Sequence, residues 1–407
     1  MSKIKFKWAF ISLVILCILS IGCRNEDVFY KGNEYIEGQD QQYMFLNDAK
    51  QSTMARSEAG YYFFAGFYLY YMDLESMKPI IMCNKPNCLH CDEKDAKKRL
   101  ECSALFLDNS FLAYNNGSLY ATQMNTKDAE DRMELVKIDT NTTNRQSVFE
   151  FDKQITEIIM HRGIMYYGEY GYNNHGECQY AMKSIPINKL DSKPKQVFEG
   201  ELLDGRINNL KGIGNNIYFN DCSISNSSYI DRVMRYDISK EKITRILSDN
   251  DNILPQGISV VGEKLYYILY SDDSSIEENK KVYKANLDGS NKEFAFDLDV
   301  LAYMRSDGEN IIINDLFGEG EKSENEKSIG IYNTDRELKG EFFVDELSPH
   351  YTSIVGDDKY IFISDPLGEY YEMKAIDKQK LLKGEVEVKD LFEIEINKLN
   401  PVIQIKE

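Results

Sequence analysis

VGEKLYYI, residues 261–268, is a short turn followed by a tyrosine-rich apolar strand, and the same design recurs along the chain. It is found in GYYFFAG (60–66), NNGSLYAT (115–122), HRGIMYYG (161–168), IGNNIYFN (213–220), SDGENIII (306–313) and VGDDKYIF (355–362), which makes seven copies. A second marker follows each copy: YMD (71–73), KID (137–139), IPI (185–187), RYD (235–237), ANLD (285–288), IYN (331–333) and AID (375–377). After most of these comes a turn and another apolar pair, such as Val148-Phe149 or Val197-Phe198. Each unit therefore reads as four short strands, repeating every 50 residues or so, the signature of a β-propeller. The predicted fold is all-β: one seven-bladed β-propeller of four-stranded antiparallel blades. An open β-solenoid is the competing architecture, but its coils repeat at about 20 to 30 residues. QQYMFLN (41–47) and PVIQI (401–405) are expected to close the ring by pairing or by completing a blade.

The start of the chain sets the compartment. Lys3, Lys5 and Lys7 precede an apolar run over 8–21 that ends in LSIGC, which reads as a lipoprotein signal with cleavage before Cys23. An uncleaved N-terminal anchor is the alternative, and either places the rest outside the cytoplasm. Residues 1–22 are thus assigned to the signal, 23–40 to a polar tether, and 41–407 to the propeller. The expected location is the extracytoplasmic face of the membrane, with lipid on Cys23 as the anchor. Cleavage removes three lysines and no acids, taking the formal charge from −19 to −22. Such a chain repels nucleic acid and anionic lipid.

In a propeller, second-to-third turns and blade-to-blade links share one face. The second-to-third segments are long and polar: 123–133, 169–179, 220–231, 271–280 and 317–328. The third-to-fourth turns, at 139–145, 239–242 and 287–292, are short. Long loops on a rigid scaffold are where binding is usually placed. All six cysteines after Cys23 fall on that face, and Cys178 with Cys222, on adjacent blades, form a candidate disulfide.

CNKPNCLHCDEKDAKKRLEC (83–102) links blade 1 to blade 2. Cys83, Cys88, His90, Cys91 and Cys102 supply soft sulfur and imidazole donors suited to one tetrahedral ion, with zinc as the natural choice. Exported cysteines also oxidise, so two disulfides, or one with a spare thiol, stand beside the metal. A redox or metal-sensing role is a further option.

The signal, the tyrosine-rich units and the pattern Cys83-x4-Cys88-x-His90 followed by Cys102-x-Ala104 resemble a group of β-propeller lipoproteins of Gram-positive anaerobes, classed among domains of unknown function. The matched positions are Cys83, Cys88, His90 and Cys102, and Cys91 is an addition here. The resemblance implies a surface lipoprotein and carries no activity with it.

Catalytic signatures are sparse, with no HExxH, GxSxG, phosphate-binding or calcium-loop motif. His161, His175 and His350 are isolated and read as surface or strand residues. No catalytic residue is assigned. The leading expectation is a binding or interaction module for a protein, peptide or glycan, acting through the long-looped face. Thr156, Asn208, Gln256 and His350, near the starts of innermost strands, are the candidate channel residues. The alternative is a glycan-active hydrolase or lyase at the channel mouth, which needs a converging carboxylate pair. The only tryptophan, Trp8, lies in the signal, so a sugar site would have to stack on some of the 28 tyrosines. A third reading is a scaffold within a surface complex, marked by a broad apolar patch.

Overall fold

Every blade is buried on both sides, which is why runs such as LYYI are apolar without interruption. Leu265 and Tyr267 pack towards blade 4, while Tyr266 and Ile268, pointing the other way, pack towards blade 6. In the same fashion Tyr61 and Phe63 enter a core shared with blade 7, and Tyr62 and Phe64 one shared with blade 2. Each such side chain contributes about 1.5–3 kcal/mol by leaving water.

The computed structural model describes residues 32, 34–36, 39–40, 53–107, 111–125, 132–202, 204–225, 228–247, 254–270, 281–298, 303–314, 328–343, 353–365, 369–395 and 398. Seven four-stranded antiparallel sheets span 54–81, 112–150, 154–199, 205–247, 254–297, 303–343 and 353–395, and together form a seven-bladed β-propeller. Strands in every blade pair in chain order, innermost to outermost. Among the described residues no helix is long and apolar enough to cross a membrane.

Neighbouring blades are stitched near the channel by side chains reaching carbonyl or amide groups of the next innermost strand. The Glu157 carboxylate accepts from the Leu210 N–H at 2.6 Å, Lys211 donates to Ile258 O at 2.7 Å, and Ser259 donates to Met304 O at 3.4 Å. Arg305 donates to Ile354 O, carrying the pattern into blade 7. The seam between blades 7 and 1 is closed by side chains. Tyr61 donates to Asp357 at 2.6 Å, Arg56 pairs with Asp357 at 2.9 Å, and Tyr61 meets Phe362 edge-on at 4.8 Å. The segments 41–47 and 401–405, expected to close the ring, lie outside the described residues. Among the described residues each sheet contains strands of its own blade alone.

The meander fixes the two faces. First-to-second and third-to-fourth turns lie at one end of the blades, and second-to-third loops and blade links at the other, here called the loop face. Two of the expected long loops are corrected. In blade 4 the strands Asn216–Ser225 and Ser228–Asp237 pair down to Ser225 opposite Ser228, so most of 220–231 is ladder. In blade 3 the strands run to Tyr172 and from Cys178. The polar side chains of Asn220, Asp221, Ser223 and Asp231 are buried in the blade 4 ladder, Asn220 bonding Asp231 at 2.9 Å and Tyr180 of blade 3 bonding Asp221 at 2.6 Å.

Candidate metal centre

The link from blade 1 to blade 2 turns back over the end of blade 1. Met82 N–H donates to Leu69 O at 2.9 Å, Leu69 N–H to Ala104 O at 2.9 Å, and Phe106 N–H to Phe67 O at 2.8 Å. Both ends of the cysteine segment are thereby pinned to blade 1 at the start of its third strand and the turn before it. Between them, Asp95 caps the helix Ala96–Leu100 by accepting from the N–H groups of Lys97 and Lys98. Arg99 reaches back to Glu93 O at 2.8 Å and Cys91 O at 3.2 Å. His90 adopts a positive φ of 52°, which turns the chain after Cys88 so that thiol and imidazole point inward together.

The result is a four-donor group. The ligand atoms of Cys83, Cys88, His90 and Cys102 all lie within 4.8 Å of one another, and Cys102 Sγ is 3.6 Å from His90 Nδ1. A tetrahedral zinc with Zn–S near 2.3 Å needs donors about 3.5 to 4 Å apart, so three thiols and one imidazole at these spacings fit the ion with small adjustments. Burial pushes the Cys102 thiol up to about 12 and holds His90 below its ordinary value. Burial acts the same way on Cys83, but hydrogen bonds from Ser103 and the Lys85 backbone outweigh it and bring that thiol down to about 7.

Cys91 stands outside the four-donor group, with its thiol beside the Tyr70 hydroxyl, and burial raises it. All six described cysteines are free thiols. The centre sits at the ring's seam. Cys102 belongs to the core shared by blades 1 and 7, Cys83, Cys88 and Cys91 pack against that core, and Lys398 pairs with Asp92 at 3.3 Å.

Arg145, which the sequence did not single out, clamps the downstream end. Its Cζ sits over the Phe106 ring, 3.6 Å from the centroid, and it donates to Leu105 O at 2.6 Å, to Ser103 O and to Gln123 at 3.1 Å. Burial brings its guanidinium down to about 10. A lone Arg opening an outer strand carries no sequence signal for this role.

The remaining candidates are scattered. Cys178 donates to Gly205 O and Cys222 to Arg206 O, adjacent carbonyls of one innermost strand. Thr156, Asn208 and Gln256 do lie on innermost strands, at or beside register shifts in blades 3, 4 and 5. Asn208 turns to Cys222, its amide 3.2 Å from the sulfur, and Thr156 packs where any side chain on Gly168 would clash. Cys23 and His350 lie outside the described residues, as does the side chain of Gln256. His175 is exposed in a turn, whereas His161 is fully buried.

No protein-family model matches the chain, and no curated protein matches it. Solved structures do. One is a prolyl endopeptidase structure, 11% identical over 84% of this chain and 48% of that one, with a TM-score of 0.51. Another is an oligogalacturonate lyase from Vibrio parahaemolyticus, 10% identical over 81% and 88%, with a TM-score of 0.46. A third is TolB from Acinetobacter baumannii, 11% identical over 83% and 78%, at 0.40. This chain spans about half of the prolyl endopeptidase chain it matches, and the likeness is one of fold.

Proposed function

We propose that the protein is an extracytoplasmic lipoprotein, held to the membrane by lipid on Cys23, that works as a binding module through its loop face. Zinc held by Cys83, Cys88, His90 and Cys102 is part of that proposal, as is kinship with the propeller lipoproteins of Gram-positive anaerobes. The observation that carries it is the convergence of those four donors on the loop face, on a rigid ring. Zinc would supply structural cross-linking there. It would fix a long polar link against the core that joins the first and last blades, where that link has few apolar contacts of its own.

The glycan-active alternative would draw support from a carboxylate pair in the channel with raised proton affinity. Among the described residues the carboxyls raised by burial are Asp221 and Asp231, on the second and third strands of blade 4. Tyr180 bonds the first at 2.6 Å and Asn220 the second at 2.9 Å, which serves internal packing.

Elemental analysis with thiol counting on reductant-free protein, with Cys23 replaced, tests the centre. The expected result is about one zinc per chain, lost together with stability in Cys83→Ser and Cys102→Ser. Absence of metal together with almost no free thiol would replace the zinc by disulfides.

A further inference from the structure

The segment ahead of blade 1 is locked to the face opposite the cysteine centre. Asp40 is 8% exposed, and its carboxylate accepts two bonds from Arg162, at 2.8 Å from Nε and 3.1 Å from Nη2. The backbone N–H of Arg162 donates to Gln39 O at 2.7 Å, and its guanidinium also reaches Glu34 O at 2.8 Å and Asn215 Oδ1 at 3.1 Å. Ile36 and Asp40 are tied to each other, since the Asp40 carboxylate accepts from the Ile36 N–H at 3.1 Å and the Asp40 N–H donates to Ile36 O at 2.8 Å. The side chain of Gln39 bonds Asn116. His161, fully buried, brings Nδ1 to 3.5 Å from Asp40 and Nε2 to 2.7 Å from Gly214 O. Asn116, Arg162 and Asn215 all belong to first-to-second turns, in blades 2, 3 and 4. Those turns lie on the face away from the loop face.

We infer that this latch sets the protein's orientation: the chain departs from the face opposite the cysteine centre, so an anchor at Cys23 turns the loop face outward, away from the membrane. The inference rests on the reading of Cys23 as lipid-bearing and names the surface a partner outside the cell would meet. Chain reach supports it. Glu34 lies eleven residues after Cys23, with ten residues between them. Fully stretched they span about 40 Å, and as a polar coil about 20 Å. To bring the lipid round to the loop face they would have to cross the height of a nine-residue strand, about 30 Å, plus about 10 Å of blade width, a path that takes the whole of their stretched length.

The test uses the lipidated full-length protein, purified from membranes and reconstituted in vesicles. A donor fluorophore is attached through an azidophenylalanine replacing either Tyr172, on the loop face, or Lys240, in a third-to-fourth turn on the other face. Energy transfer to an acceptor-labelled lipid headgroup is then measured. Transfer several-fold stronger from position 240 is expected, with the two values converging in Arg162→Ala. Equal transfer from both positions in the unmutated latch, or stronger transfer from position 172, overturns the inference. A chain that does not float with vesicles and shows no added mass on Cys23 overturns the lipid reading instead, and the orientation with it.

Discussion

Tyr61 of the first blade donates its hydroxyl to Asp357 of the last at 2.6 Å, joining residues at opposite ends of the described chain. The Asp357 side chain is fully buried. Its Oδ2 also takes Arg56 at 2.9 Å, and its Oδ1 accepts from the N–H groups of Lys359 and Tyr360, both at 2.8 Å. One carboxylate thus shapes its own turn and ties the ring's two ends. Tyr61→Phe deletes a hydrogen bond to a charged group and is expected to cost about 1.5–3 kcal/mol in chemical denaturation. Asp357→Ala takes one of two carboxylate partners from the part-buried Arg56, which keeps Asp358, and strands a buried hydroxyl, and is expected to cost about 3 kcal/mol. No loss in Tyr61→Phe would mean that the Arg56 pair and aromatic packing close the seam without this hydrogen bond.

The blades were legible because their burial is two-sided and local. A run like GYYFFA must hide both faces, and it repeats with its turn in every unit, so the pattern alone gives the strand and the ring. The cysteine spacing was legible because Cys83, Cys88, His90 and Cys102 lie within one segment. Asp40 was not legible, since its meaning depends on Arg162, 122 residues away, and a polar stretch looks the same whether it is docked or free. The ribbon ends of blades 3 and 4 misled for a related reason. In blade 4 the buried Asp221 is partnered by Tyr180, 41 residues away, and Asp231 by Asn220 across the hairpin, so a ladder with polar partners resembles a loop.

Arg145 should act as the loop's lower clasp. Arg145→Lys keeps the charge but loses the fork that bonds the Ser103 and Leu105 carbonyls and the guanidinium contact with the Phe106 ring. Global stability is expected to fall by about 1–3 kcal/mol, with faster amide exchange centred on 103–106. Exchange unchanged in that stretch would show that the backbone bonds to Phe67 and Leu69 hold the loop unaided.

Cys91 and the four-donor group should separate by mutation. Cys91→Ser is expected to retain about one zinc per chain, because Cys91 is not among the atoms that converge within 4.8 Å. Cys88→Ser and His90→Ala each remove one of four donors and are expected to lower zinc affinity at least tenfold in chelator competition. Zinc loss in Cys91→Ser with retention in His90→Ala would reassign the ligand set.

Asp231 makes stability depend on pH. Burial raises its carboxyl to about 7, against an unfolded value near 3.9, and Asn220 is its hydrogen-bonding neighbour while Asp221 adds like charge. Below about pH 4 both states are protonated and burial costs nothing. Between about 4 and 7 the unfolded chain ionises while the folded one keeps its proton, so stability falls as pH rises. Above 7 the penalty is complete and constant. Asp231→Asn keeps an oxygen for the Asn220 amide and removes the charge. The variant is therefore expected to match the parent near pH 4 and to exceed it increasingly up to pH 7, by at most on the order of 4 kcal/mol. Denaturation series at these pH values check the sign. A variant less stable than the parent at pH 7 would mean that the ionised carboxylate is stabilised in the fold, and that burial is not the dominant influence on this group.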